Sequence, residues 1–332
     1  MLAERCAHRG ASLYYGFVEP DGVRCAYHGW KYAPDGKCID QPFEPNARFK
    51  QSICQRSYPV QRFAGLLFAY LGSTPAPLLP RWDVLVRDDG ERFLTVHPVL
   101  NANWLAPMEN AVDTVHTHYL HGHSMKIRGS TVGQYYLRPI EHYEFVPFEH
   151  GILKRRTYGG DTPETELGHP LLFPNMLRNP AGGLESMHWR VPIDDEHTQI
   201  FVLDFKAGEP GASVPGPEET VPVRRLGSPF DDHGEYHMTN FPSQDAMAYE
   251  TAGAIFDRTT EHLGASDRGI VMFRRMLREQ LDVVAAGGEP MNALRDPERN
   301  QRIDFVTSKG QSDAAWQAMN AGYWDPERDP AG

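Results

Sequence analysis

The chain has 332 residues, 40% of them hydrophobic and 23% charged, a globular balance long enough for two domains with their own cores, which excludes disordered and fibrous classes. Its 33 Lys and Arg against 44 Asp and Glu leave a formal charge of -11, which disfavours a nucleic-acid partner, since that would need a basic face to displace counterions. No apolar run is long enough to cross a bilayer, residues 1–10 lack the apolar core of a signal peptide, and four cysteines are too few for a disulfide scaffold, so the expectation is a soluble, cytoplasmic protein without membrane contact.

Residues 1–72 read as a small antiparallel β domain. Ser12–Glu19 and Val23–Ala26 flank the turn Pro20-Asp21-Gly22, Tyr32 leads into Pro34-Asp35-Gly36, and Tyr58–Val60 and Leu66–Leu71 add two strands. Its loops carry Cys6-Ala7-His8 and, after a sixteen-residue gap, Cys25-Ala26-Tyr27-His28. One Cys and one His from each of two loops is what a 2Fe–2S cluster needs when one iron is held by two thiolates and the other by two imidazoles. Zinc sites group like ligands with like, so these mixed pairs suit zinc poorly. Gly10 and Gly29 stand where the backbone must turn tightly beside the cluster sulfurs. Cys38 and Cys54 read as reduced side chains without a function.

Residues 73–91, with Pro75, Pro77 and Pro80, read as an extended linker, and 92–332 as a larger second domain. It opens on a strand at Phe93–Leu100, after which Asn103-Trp104 leads into a helical stretch through Leu120. Tyr135–Tyr158 and Met187–Phe205 alternate apolar and polar residues as half-buried antiparallel strands do, the second broken at Asp194-Asp195-Glu196-His197. Gly208–Pro222 reads as a surface loop, and from Ser243, as an N-cap, a helix-rich segment runs to about Ala286. The order implies an α+β architecture, an antiparallel sheet gripped by a long carboxy-terminal helix.

The stretch from Glu109 to His123 packs Asp113, His116, His118, His121 and His123 together. Non-haem iron(II) that activates dioxygen is held by two histidines and a carboxylate on one face. His118 and His121 share a helix face. His116 and His121 diverge on a regular α-helix unless it bends or ends between them. Asp113, one turn before His116, is placed to accept that ring's free N–H. Spacing alone leaves the pair open.

The two ligand loops, with Asn103-Trp104, Glu109-Asn110 and Asp113-x-x-His116-x4-His121, resemble the Rieske non-haem iron ring-hydroxylating oxygenases, large (α) subunit, in the phthalate-dioxygenase-like and aryl-ether O-demethylase-like branch. The resemblance implies a small all-β Rieske domain holding a 2Fe–2S cluster on Cys6, His8, Cys25 and His28, followed by a helix-grip domain holding mononuclear Fe(II). It implies His116 and His121 as iron ligands. The third ligand in the family comes from the carboxy-terminal helix, and the similarity of Glu261–Gly269 to that segment implies Asp267, with Asp257, Glu261 and Asp282 as alternatives. Cys6 lies so near Met1 that the amino-terminal strands of the Rieske domain are expected to be missing.

Further implications concern how the sites work together. In the family a head-to-tail ring of three subunits brings the cluster of one against the iron of the next. Asp113 would bridge His116 to His28 of the neighbour. Electrons would come from NADH through a separate reductase, with or without a ferredoxin, because no G-x-G-x-x-G or second iron–sulfur pattern occurs in the chain. The substrates implied are dioxygen and an aromatic carboxylate or lignin-type aryl methyl ether, with ring hydroxylation or O-demethylation as the outcome. Leu172–Met176 and Glu185–Trp189 are candidate pocket segments, and Arg128 and Arg178 candidates to pair with a substrate carboxylate. The competing reading is a non-catalytic electron-transfer protein with a hydrophobic-ligand-binding domain, which would have no use for the iron triad.

Overall fold

The computed structural model describes residues 1–160, 163–166, 169–181, 184–208 and 221–305. It divides into two compact units, the first Met1–Pro77 and the second starting at Leu78.

In the first unit, β1 (Phe17–Glu19), β2 (Gly22–Arg24), β3 (Lys31–Tyr32) and β4 (Cys38–Asp40) form an antiparallel meander, and β5 (Val60–Phe63) pairs with β6 (Leu66–Ala69) as a hairpin. Such short strands bury little, and the core is correspondingly small: Leu13, Trp30, Tyr32 and Cys38 pack with Cys6 and Cys25 themselves. Gln55, almost fully buried, accepts from the Ala7 N–H (2.7 Å) and donates to the carbonyls of Ala3 and Arg5. It therefore pins the first ligand loop to the end of the unit.

In the second unit the helices are α1 (Asp83–Val86), α2 (Leu105–Ala111), α3 (Ser124–Ile127), α4 (Phe241–Thr251) and α5 (Arg268–Ala285). The strands are β7 (Gly90–Val96), β8 (Ile140–Phe148), β9 (Gly151–Tyr158), β10 (Glu164–Glu166), β11 (Leu171–Leu172), β12 (Met176–Ala181), β13 (Leu184–Pro192), β14 (Thr198–Ala207) and β15 (Val223–Arg225). They make one sheet in the order β10-β9-β11-β12-β13-β14-β7-β15, with β8 also pairing with β9. Only the β15–β7 pair of these is parallel.

Alternation decides which side is inward. On β9 Ile152, Lys154, Arg156 and Tyr158 are all buried. Register places Leu177 of β12, His188 of β13 and Val202 of β14 abreast on this side. Met108, Ala111 and Val112 pack there with Ile152, Leu177, and Phe273 and Met276 of α5. The α+β helix-grip arrangement expected from the sequence is thus the observed one.

Residues 78–91 behave differently from an extended linker. Leu78 bridges to Leu294, Trp82 is buried, and α1 and the start of β7 lie within the second unit. Prolines mark extended backbone, but the apolar Trp82, Val84 and Leu85 gain more by joining the core than by staying in water. The helix-rich stretch after Ser243 is two helices separated by short 3-10 turns, and the N-cap of α4 is Asn240, whose side chain accepts from the Ser243 N–H. The expected loop at Gly208–Pro222 lies mostly outside the described residues.

Candidate metal centres

The two loops bearing Cys6/His8 and Cys25/His28 are built alike. The Cys6 N–H donates to Ala11 O and the Gly10 N–H returns to Cys6 O; the Cys25 N–H donates to Trp30 O and the Gly29 N–H returns to Cys25 O. Closing so tight a loop takes Gly10 and Gly29 to φ of 76° and 74°, a region a side chain enters only at a cost. The two loops bring the imidazoles of His8 and His28 to 4.7 Å between centroids, with His8 stacked on Trp30 at 4.2 Å.

These groups fit a cluster. His8 Nδ1 is buried and without a hydrogen-bond partner, and burial, with His28 adding to it, lowers the pKa of His8 and keeps its lone pair available. Both thiols are buried. Burial and the neighbouring Cys25 raise the Cys6 pKa while Tyr32 Oη, 3.1 Å from its sulfur, pulls the other way. Bound iron would reverse that balance and favour the thiolate.

In the second unit His116 and His121 come together through an unusual helix. Five residues of α-helix would separate their directions by about 140°. Thr117–His123 is instead π-helical, His116 being its N-cap, and the Ser124 N–H reaches Tyr119 O five residues back. Hydrogen bonds over five residues stack the two positions on one side, and the ring centroids lie 5.2 Å apart.

A carboxylate completes the group, and it is Asp245 of α4: ligand atoms of His116, His121 and Asp245 all lie within 4.8 Å of one another. Gln244, the preceding residue, decides the protonation of His121. Its Nε2 donates to Met238 O (2.8 Å), which turns Oε1 toward His121 Nδ1 at 2.7 Å. Read from that network, Nδ1 carries the proton and the Nε2 lone pair faces Asp245 Oδ1 at 3.6 Å. Asp245 Oδ1 is buried with no hydrogen-bond partner. Burial lowers the pKa of His121, although the charge of Asp245 opposes it. Two opposed acceptors, one anionic, suit a cation between them, so the donor set fits a divalent metal.

Asp113 stands on the other side of His116, its Oδ2 3.2 Å from Nδ1. Burial works to raise its pKa, but His116, the Val115 N–H and Lys154 outweigh it and hold the carboxyl at about 2. Lys154 in turn donates to Asp113 O, and burial brings its own pKa down to about 7.

Asp267, the carboxylate expected from the sequence, is not part of this group. It precedes α5 and its Oδ2 accepts the Gly264 N–H at 2.6 Å. The other candidates are occupied too: Asp257 caps Thr259, Glu261 pairs with Arg274, and Asp282 is exposed. Sequence reading missed Asp245 because its partners are distant along the chain. His118 and His123 lie away from the triad, their rings paired with each other at 5.1 Å.

The sequence-derived anchors for a substrate carboxylate are also committed elsewhere. Arg178 is buried between Asp83 (2.8 Å) and Glu185 (2.6 Å), and Arg128 donates to Ser124 O at the exposed end of α3.

A cluster-type β unit followed by a helix-grip sheet with a two-histidine, one-carboxylate centre defines a class of oxygenase, and comparison with known proteins agrees. The Rieske [2Fe-2S] domain family matches residues 1–60 and the family described as LigXa C-terminal domain like matches residues 231–325. The 5,5'-dehydrodivanillate O-demethylase oxygenase subunit of Sphingobium sp. (strain NBRC 103272 / SYK-6) is 36% identical over 97% of this chain and 75% of that protein. The phenoxybenzoate dioxygenase subunit alpha of Ectopseudomonas oleovorans is 31% identical over 87% of this chain and 73% of that protein. Dicamba monooxygenase shares the fold, with a TM-score of 0.59 at 15% identity over 86% of this chain and 87% of that one.

The chain belongs to the Rieske non-haem iron oxygenases, as an oxygenase subunit. It is thus an iron-dependent oxygenase of the kind that uses a 2Fe–2S cluster and a mononuclear iron. Among the described residues no helix is long and apolar enough to cross a membrane.

Proposed function

We propose that this chain oxidises an aromatic carboxylate or an aryl methyl ether at Fe(II) held by His116, His121 and Asp245, with electrons stored on a 2Fe–2S cluster held by Cys6, His8, Cys25 and His28. The observation that carries the reading is the opposed pair of acceptors, His121 Nε2 and Asp245 Oδ1, with His116 beside them. An electron carrier has no use for that triad. When bound, the iron supplies a site where dioxygen is reduced next to the substrate. The protein residues fix the rest: Gln244 holds the His121 imidazole in orientation through a hydrogen bond, and Asp113 sets an ionised carboxyl 3.2 Å from His116 Nδ1. O-demethylation would consume one dioxygen, one NADH and one proton, and release phenol, formaldehyde, water and NAD⁺.

Support for the substrate class comes from the relatives, whose names specify a dehydrodivanillate O-demethylase and a phenoxybenzoate dioxygenase. A related carbazole 1,9a-dioxygenase oxygenase is known in complex with a ferredoxin, which supports delivery by a separate electron carrier; the electrons would come from an NADH-dependent reductase, directly or through a ferredoxin, in the cytoplasm. A head-to-tail homotrimer would use Asp113, ionised and part-exposed beside His116, as the bridge to His28 of the next subunit.

Metal analysis tests the reading. The loaded protein should hold about three iron and two acid-labile sulfide per chain. His116→Ala, His121→Ala and Asp245→Ala should each fall to about two iron with the cluster spectrum unchanged, and Asp267→Asn should keep about three. Two iron in the parent protein, unchanged in Asp245→Ala, would reject the site. With a surrogate reductase, formaldehyde from methoxybenzoates assigns demethylation and a diol from benzoates or phthalates assigns ring dihydroxylation.

A further inference from the structure

Four arginines are buried among the described residues. Arg92 donates to backbone carbonyls, Arg156 pairs with Glu166, and Arg178 pairs with Asp83 and Glu185. Arg190 is the exception. Its Nε and Nη1 are buried with no hydrogen-bond partner. A guanidinium stays charged in any protein, so an interior that leaves one unmatched bears a heavy desolvation cost.

Its position says what the cost secures. On β13 it shares a face with His188, and its register partner is Ile200. Ile200 packs against Ala246 and Tyr249 of α4, the helix that carries Asp245. Arg190 therefore lies on the inner face of the sheet, near enough to Tyr249 and Asp245 for both to act on its charge. It forms no ion pair with Asp245, whose Oδ1 faces His121. His97 and His188 add no competing charge, since burial first and then Arg190 itself push their pKa values down.

We propose that Arg190 is the residue that recognises the carboxylate of an aromatic acid substrate, holding the ring beside the iron site. The proposal rests on the oxygenase reading above and adds the group that selects the substrate. A guanidinium offers donors in a planar fork that matches a carboxylate, and in a dry site such a pair is strong.

The experiment is anaerobic calorimetry of the iron-loaded full chain with 4-hydroxy-3-methoxybenzoate, 3-phenoxybenzoate and phthalate, each against its methyl ester. The parent protein should prefer at least one free acid to its ester. Arg190→Met should lose on the order of 100-fold in affinity for that acid with little change for the ester, and Arg190→Lys should recover part of the loss. Without ligand, Arg190→Met should melt no lower than the parent, because it removes a charge that had no partner. Equal affinity for acid and ester in the parent, or full acid affinity in Arg190→Met, would overturn the proposal. If Arg190→Met fails to fold, the parent's acid preference and its loss in Arg190→Gln decide the matter. Three iron per chain and reductase-dependent oxygen uptake would, in each of those failures, leave the oxygenase reading standing; absence of the third iron would remove that reading instead.

Discussion

Replacing Gln244 by Leu probes the tautomer that makes His121 a ligand. Gln244 Oε1 is the acceptor, at 2.7 Å, for the Nδ1 proton of a buried imidazole, and its Nε2 is spent on Met238 O. Leu has similar bulk and neither polar atom, so the His121 N–H loses its partner in a dry site. That desolvation costs about 1–3 kcal/mol, or roughly 5- to 150-fold in a binding constant, in line with the roughly 10- to 100-fold found when the outer partner of a metal-bound histidine is removed. The assay is competition for Fe(II) between the cluster-loaded protein and a chelator, with thermal melts of the metal-free protein beside it. Gln244→Leu should bind Fe(II) about 10- to 100-fold more weakly. Gln244→Glu should separate two effects: its carboxylate keeps the acceptor for His121 and so most of the metal affinity, while its second oxygen faces Met238 O and lowers the melting temperature. Fe(II) affinity within about twofold of the parent in a folded Gln244→Leu would refute the orienting role.

Arg178→Met should destabilise the second unit by about 3–5 kcal/mol in urea melts, because it strands the buried carboxylate of Asp83; a loss under 1 kcal/mol would show that the pair is dispensable. Asp204 gives a pH dependence of definite sign. Burial raises its pKa from 3.8 to about 6 against the opposing contacts of Ser186, Arg224 and Thr95. The folded state therefore binds the extra proton, and stability should fall as pH rises from about 4 to about 6, by up to roughly 3 kcal/mol at 1.36 kcal/mol per unit. Glu19 and Asp113, held at about 2, act with the opposite sign and only below about pH 4. Asp204→Asn should flatten the slope between pH 4 and 6, and an unchanged slope in urea melts would exclude Asp204 as its source.

The cluster loops were legible in the sequence because all their determinants are local: a Cys, a His, and a Gly four residues after the Cys whose N–H returns to it. His116 and His121 were half legible. Their chemistry showed, but helical arithmetic separated them, and the π-helical turn that reunites them comes from a hydrogen-bond pattern that apolar periodicity does not report. Asp245 was illegible. Its partner His121 lies on another element, and Gln244 and His121 are 123 residues apart in sequence, so nothing near Asp245 marks it out from Asp267, which serves to cap Gly264. Arginine posed the same problem. Arg178 and Arg190 occupy neighbouring strands, and it is Asp83, 95 residues from Arg178, that joins Glu185 in neutralising the one, while Nε and Nη1 of the other have no partner.

Charge counting connects the two centres of the second unit. Burial lowers the pKa of His121 against the opposing pull of Asp245 and Gln244, whereas His116 is backed by an ionised carboxyl, Asp113. A divalent ion set among the imidazoles, Asp113 and Asp245 would offset the two carboxylate charges, and nothing would be left over to balance Arg190. Without the ion the same group carries two negative charges, one of them on Asp245 close enough to act on Arg190. Metal binding would thus weaken the pull of Asp245 on the guanidinium and leave it in greater want of an anion. The consequence is a coupling between the two ligands, in which the metal tightens the binding of an aromatic carboxylate and, by reciprocity, the carboxylate tightens the metal by the same factor. A neutral ester, having nothing to offer Arg190, should show no such coupling.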